Sequence, residues 1–414
     1  MRVLILTSST GGGHDMRARS FKQWTETQEA QFLNMRVTVY QTLESLHWLY
    51  KFGVGLYNVI QKFYPRFHHI YFNYLEASGQ FRRADQIKGQ KKFREMLLDV
   101  KPELIVSTHA HLNHGFFELA RNVLGKENVK CVTYCGELHG GYGFSRHWVS
   151  PDADLFIGAV EETCDMAKSL GMDDHKTWAG GFMLNPAFYE KRLTEEERRE
   201  FIRDRLSLDP DRFILLLGTG ANGANNHMRM LQALADSSLV LQVVVLCSKN
   251  KKCYDYIEKW AKKFPRLHLK PLGYFTEMGP LLQSVSTVVA RSGTGLTSES
   301  IISQCPVLFN GVGGVMPQER ITLDFCRKHK LGVELRRPSD MIPYLKRWIE
   351  NPKKLEVRRL KKERKRPQNN PLDILKKLDE LVYGSQMDRK NIAPFVVETK
   401  KLPPSKQNPN REVG

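Results

Sequence analysis

No stretch of the sequence holds the ~18–20 consecutive apolar residues that a helix crossing a bilayer requires, so no bilayer-spanning segment is expected. The chain opens on a strand-like run, MRVLILTSS, rather than on the apolar core of a secretory signal, and the expected site of action is cytoplasmic. Cysteine is scarce: seven residues, at 131, 135, 164, 247, 253, 305 and 326, an odd number without paired spacings. That argues against both a disulfide framework and a zinc ribbon, and leaves reduced thiols. No repeat of solenoid period is visible. Negative charge is in deficit, with 45 acidic residues against 63 basic ones and a formal net charge of +18. Such a balance attracts polyanions, whether nucleic acid, anionic lipid or phosphorylated substrates, without choosing among them. Much of the excess sits in Lys353–Arg366, where nine basic residues face two acidic ones. This cluster reads either as a solvated helix face or as a membrane-surface element, since each such residue contributes about 1 kcal/mol near anionic lipid.

What the sequence does contain is 414 residues with 41% hydrophobic content, enough for two cores. Short apolar runs alternate with longer amphipathic ones: RVLILTS (2–8), VTVYQ (37–41), ELIVST (103–108), KCVTYC (130–135) and LFIGAV (155–160). The alternation predicts an α/β protein with parallel sheets covered by helices on both faces. A second series follows a charged, proline-containing break: FILLLG (213–218), LVLQVVVLCS (239–248), LHLKPLG (267–273), TVVARSG (287–293), PVLFNG (306–311) and GVEL (332–335). We therefore expect two Rossmann-like, doubly wound domains, at 1–182 and 213–350, joined by a linker and helix at 183–212. Basic and C-terminal helices over 351–384 are placed to cross back to the first half, ahead of a flexible tail at 385–414. Within the first half, the segment from Leu43 to Phe93 has helical spacing and is unusually rich in Trp, Tyr and Phe. It reads either as an interfacial surface or as a covered helical core.

In doubly wound sheets ligands gather at the carboxyl ends of the strands, which directs attention to four loops. After the first strand come Gly11, Gly12, Gly13 and His14, a turn open to close backbone approach. His14 is either a proton acceptor or a helix-start residue bonding a carbonyl. After the first strand of the second half, Gly218-Thr219-Gly220-Ala221-Asn222-Gly223 matches a dinucleotide motif. The next strand, however, ends Leu246-Cys247-Ser248-Lys249 without the acid an NAD site needs, leaving a phosphate-cradling loop around Gly220. The third loop, Arg291-Ser292-Gly293-Thr294-Gly295, is a diphosphate nest followed by Glu299, one helical turn in, where it can accept ribose hydroxyls. The fourth runs from Gly311 to Gln318 and Glu319, an amide and a carboxylate suited to sugar hydroxyls. Asp152-Ala153-Asp154 and the His109, His111, His114 group are not expected to hold a metal, and no cofactor is expected.

These motifs in this order carry a resemblance. GYFTEM (273–278), VVARSGTGLTSES and CPVLFNGVGGVMPQE resemble the donor half of the peptidoglycan N-acetylglucosaminyl transferase. The same half is similar to that of its relatives, the monogalactosyldiacylglycerol synthases and processive diacylglycerol glucosyltransferases. SSTGGGHDMRA, the aromatic LYKFGVGLYNVIQKFYPRFHHIYF and the GGF at 180–182 are similar to these relatives, both synthases and glucosyltransferases, in particular. The resemblance, over about residues 1–345, implies a glycosyltransferase B-type fold, a UDP-sugar donor, metal-independent transfer with inversion, and a lipid acceptor such as diacylglycerol at an anionic membrane. It implies that Phe275 holds the uracil by backbone, Glu299 the ribose, the 292–295 turn and Gly220 the diphosphate, and Gln318 with Glu319 the sugar. It makes His14 the base.

Two departures stand out. Arg320-Ile321-Thr322 follows Gln318-Glu319 without the family's Asn, and Tyr134-Cys135-Gly136-Glu137 replaces a Thr-Asp, which makes Glu137 a second candidate base. Arg291 is placed to meet charge developing on the diphosphate. The expected enzyme is a peripheral one on the inner face of the cell membrane, with no nucleic-acid partner. The rivals are a UDP-sugar epimerase, a glycosyltransferase with a non-lipid acceptor, and a non-catalytic basic binding protein.

Overall fold

The computed structural model describes residues 1–64, 67–78, 82–218 and 226–384. The expected phosphate loop around Gly220, the tail from residue 385, and small parts of the aromatic segment (65–66 and 79–81) lie outside the described residues.

In the first half the strands are β1 (Arg2–Thr7), β2 (Arg36–Gln41), β3 (Leu104–Ser107), β4 (Lys130–Cys135), β5 (Leu155–Gly158) and β6 (Thr177–Ala179). Helices α1 (Gly13–Thr25), α2 (Thr42–Leu46), α3 (Trp48–Phe63), α4 (His68–Ala77), α5 (Gln90–Val100), α6 (His114–Leu124) and α7 (Glu161–Ser169) connect them. After α8 (Glu195–Glu200), the second half contains β7 (Ile214–Leu217), α9 (His227–Ala235), β8 (Leu241–Leu246), α10 (Lys251–Ala261), β9 (Leu267–Leu272) and α11 (Met278–Ser284). It continues with β10 (Thr287–Ala290), α12 (Thr294–Ile302), β11 (Val307–Asn310), α13 (Pro317–Lys328), β12 (Gly332–Leu335) and α14 (Met341–Glu350). Two more helices follow, α15 (Pro352–Glu363) and α16 (Pro371–Tyr383).

The fold is thus α/β with two six-stranded sheets, ordered β2-β1-β3-β4-β5-β6 and β12-β11-β10-β7-β8-β9, and every pairing is parallel. Central strands such as β3, β5, β7 and β8 are buried along their whole length. Each face of each sheet has its own apolar core, which is why these strands read as continuous apolar runs rather than alternating ones. The edge strand β6 escapes a sequence reading. It is three residues long and half-buried, too short to make an apolar run.

Chain order reverses between β1 and β3 in the first sheet and between β7 and β10 in the second, so each sheet has a switch point where ligands characteristically bind. The two switch points face one another. α16 returns to the first half, where Ile374, Leu375 and Leu378 join the core formed by Phe21, Trp24 and Tyr134. α15 lies against α12, with Leu355 and Lys362 buried. Several residues of the basic cluster are thereby tied into the fold. Arg359 donates to the Val285 carbonyl (2.9 Å), Arg358 to that of Lys330 (3.1 Å), and the Lys362 ammonium to the Ser300 hydroxyl (3.3 Å).

Candidate active site

The glycine turn after β1 takes its shape from left-handed backbone at Gly11 (φ 73°) and Gly12 (φ 78°), which only glycine adopts at little cost. Side chains fix it from several directions. Glu44 accepts from the Ser9 amide (2.6 Å) and the Ser8 hydroxyl (3.0 Å), while Asn58 of α3 accepts from the Gly11 amide (3.1 Å) and donates to the Ser9 carbonyl (3.0 Å).

From this turn His14 enters α1 and crosses to the loop after β3, where its Nδ1 lies 2.6 Å from the Thr108 carbonyl oxygen. A carbonyl can only accept, so Nδ1 carries the proton and Nε2 keeps its lone pair. Burial, reinforced by Arg17, pushes His14 down to about 3, so the ring is neutral. Of the two readings of His14 open in the sequence, the bond to a carbonyl is present, and it occupies only Nδ1. His109 stands against it, ring centroids 4.5 Å apart, and its Nε2 meets the Thr10 hydroxyl at 2.9 Å.

Two cavities meet at this point. One, of about 440 Å³, lies between the halves and is lined by the 11–13 turn, Phe275, Gly293, Thr294, Gly295 and Glu299. The other, of about 250 Å³, lies under α3 and α4 among Val54, Tyr71, Leu75 and Trp148. His14, Glu137, Tyr57, Thr10 and Gln318 line both. Glu137 is buried, its Oε2 has no hydrogen-bond partner among the described residues, and burial, opposed by Arg17, pushes its carboxyl up to about 7. Glu299 faces the larger cavity and burial pushes it, too, up to about 7.

The sequence-picked residues Phe275, Arg291, Gly293, Thr294, Gly295, Glu299, Gln318 and Glu319 converge on the larger cavity. Ser292 is buried beside them. Several of them are already engaged. Arg291 forms a two-pronged ion pair with Glu319, its Nε 3.1 Å from Oε1 and its Nη2 on Oε2. Glu319 also caps α13 by accepting from the Met316 amide at 3.1 Å. Gln318 donates across the cleft to the Tyr57 hydroxyl at 2.6 Å.

Of the two discounted patterns, His109 and His111 line the smaller cavity, whereas the aspartates lie elsewhere. Asp152 and Asp154 both pair with Arg121 (3.7 and 3.0 Å), and Asp154 also accepts from the Cys131 amide (2.7 Å). Among the described residues no group of histidines, cysteines and carboxylates is arranged to hold a metal ion.

Sequence reading missed Arg17 and Tyr57. Arg17 donates to the Gly136 carbonyl (3.0 Å) and to the Thr294 hydroxyl of the opposite half. Its spacing from His14, i and i+3 on one helix face, was the available signal.

Two parallel sheets with facing switch points and a glycine-lined cleft between them make the glycosyltransferase B-type fold. MurG of Acinetobacter baumannii superposes with a TM-score of 0.57 at 12% identity, covering 92% of this chain and 99% of that one. Os79 of O. sativa likewise gives 0.57 at 13%, covering 92% and 100%.

The resemblance read from the motifs is borne out. Residues 14–182 match the monogalactosyldiacylglycerol (MGDG) synthase family. Over 401 residues the chain is 24% identical to monogalactosyldiacylglycerol synthase 2, chloroplastic, of Arabidopsis thaliana, covering 92% of this chain and 80% of that one. It is 25% identical over 319 residues to the processive diacylglycerol beta-glucosyltransferase of Staphylococcus saprophyticus, covering 74% and 75%.

Proposed function

We propose that this enzyme transfers a hexose from a UDP-sugar to a lipid acceptor of the diacylglycerol type, with inversion, without a metal ion, at a membrane surface. The observation that carries the reading is the meeting of the two cavities at His14 and Glu137. The larger one offers what a nucleoside diphosphate sugar needs: Glu299 for ribose hydroxyls, the 293–295 turn for phosphate, and Gln318 near the sugar. The smaller one is apolar and opens beneath a helical pair whose outer surface is apolar as well. Trp48, Phe52, Leu56 and Val59 lie along one exposed stripe of α3, with Ile70 and Tyr74 exposed on α4. Leu49 and Tyr74 belong both to the exposed surface and to the cavity wall, so an acyl chain has an apolar route inward.

In the reaction, the acceptor hydroxyl enters from the apolar side and attacks the anomeric carbon on the face opposite the leaving UDP. Its proton goes to His14 Nε2 or to Glu137. Positioning two reactants across a closed cleft supplies much of the rate, and the N-H groups at the start of α12 meet the leaving diphosphate. An epimerase would have no use for an apolar cavity at the reacting centre.

The test is release of UDP from a panel of UDP-sugars with and without diacylglycerol-containing anionic vesicles, in EDTA. Acceptor-dependent release should appear with one sugar and fall by about 10²–10⁴ in His14→Ala, the usual worth of a positioned base. Release that ignores the vesicles, or none from any donor, overturns the reading.

A further inference from the structure

The larger cavity is bordered by a buried arginine, Arg17, and a partly buried one, Arg291, and they are not equivalent. Arg291 stands in the second half immediately after β10, yet its guanidinium is neutralised by the two-pronged bond to Glu319. Arg17 comes from α1 of the first half and is 4% exposed. Its guanidinium donates to a carbonyl, that of Gly136, and to a hydroxyl, that of Thr294. No carboxylate among the described residues forms an ion pair with it. Glu137 is close enough for the charge to be felt, but burial keeps its carboxyl up at about 7 in spite of Arg17. A buried cation without a counter-ion is costly unless something in the working state supplies one.

The hydroxyl that Arg17 touches is the first residue of α12, the helix start that borders the cleft beside Gly293 and Gly295. α1 is seated there closely: a Cβ added at Gly295 would lie 3.3 Å from the Met16 methyl. Five fixed N–H donors in a planar fork suit a pair of phosphate oxygens better than any other side chain. We propose that Arg17 binds the donor's diphosphate, supplied across the cleft by the half that does not carry the donor loops. The bound donor then completes the ion pair that the protein lacks and fastens α1 to α12. The Arg17 cation stays against the UDP anion as the bond from its β-phosphate oxygen to the anomeric carbon breaks, so Arg17 acts on the leaving group and takes no proton.

This rests on the UDP-sugar reading, and the experiment separates the two. Binding of UDP, UMP and uridine is measured by calorimetry in EDTA on the parent, Arg17→Gln, Arg17→Lys and Gly136→Ala. The last variant leaves the charge in place but puts a methyl 2.0 Å from Arg17 Nε, so the guanidinium must move. Arg17→Gln should lose about 10–100-fold in UDP affinity, the range for hydrogen bonds to charged groups, and keep its affinity for uridine. Arg17→Lys should recover part of the loss, and Gly136→Ala should lose UDP affinity selectively. If Arg17→Gln does not fold, Gly136→Ala decides by the same UDP-to-uridine ratio. A parent that binds UDP with a ratio unchanged in Arg17→Gln or Gly136→Ala overturns the role of Arg17 alone. A parent that binds none of the three overturns the donor reading beneath it.

Discussion

His14 and Glu137 reach the same point with opposite strengths. The imidazole is oriented by the Thr108 carbonyl, with Nε2 free to receive a proton, but burial and Arg17 push it down to about 3. The carboxyl of Glu137 lacks a partner at Oε2 among the described residues and is pushed up to about 7, where a general base works well. A carboxyl accepts a proton only when ionised. If Glu137 is the base, kcat/KM should therefore climb as pH rises through about 7, and Glu137→Gln should flatten the profile and lower the rate by about 10²–10⁴. If His14 is the base, the profile above pH 5 carries no such limb that Glu137→Gln removes. Glu299 also titrates near 7, so the Glu137→Gln comparison is essential. At this scale the sequence was readable wherever a residue follows a glycine turn at a strand end, as His14 and Glu299 do. Arg17 and Tyr57 were not, because each acquires its meaning from a partner more than 250 positions away, Thr294 and Gln318 respectively. The Arg291–Glu319 pair was hidden for a related reason: composition places a charge in a loop and does not say that a neighbouring loop consumes it.

Among the elements, α3 does two tasks with two faces. Its inner side supplies Val54, Tyr57 and Asn58 to the cavity and the glycine turn, while its outer side shows Trp48 (69% exposed) and Phe52 (66%). The covered-core reading of the aromatic segment describes the inner face, and the outer face is apolar and exposed. Replacing Trp48 and Phe52 together by Ser should weaken sedimentation with anionic vesicles by at least about tenfold, given 1.5–3 kcal/mol for each fully buried large apolar side chain. UDP affinity should be unchanged, because neither side chain borders the larger cavity. Equal loss of both would mean that the helix itself had been disturbed. Central strand positions were legible because strands covered on both faces are almost wholly apolar. β6 was not, being short and half-buried.

Across the whole molecule, closure depends on small contacts between halves. Gly143, with φ of 111°, sits so close to the Pro317 carbonyl that a Cβ there would lie 2.0 Å from its oxygen. His69 Nε2 meets the Val315 carbonyl at 3.0 Å nearby. Gly143→Ala should keep the halves apart, seen as a larger radius of gyration in small-angle scattering. Turnover should drop by at least about tenfold while uridine affinity is retained, since misplacement by about 1 Å costs on the order of 10²-fold. An unchanged radius and rate would show that the loop gives way instead. Two parallel series of strands made the two-half architecture visible in advance. The faces they turn toward each other were not, since periodicity says which side of an element is buried and not which element covers it.

The return of α16 bears on how the chain is made. A ribosome delivers the first sheet complete once Ala179 has emerged, but Ile374, Leu375 and Leu378, which close one of its apolar faces, are still unsynthesised. At about 5–20 residues per second the wait is roughly ten to forty seconds. During that time the uncovered face beside Phe21, Trp24 and Tyr134 is a binding surface for chaperones. The half that begins first is finished last, so a ribosome stalled within the second half would leave its partner open on the growing chain.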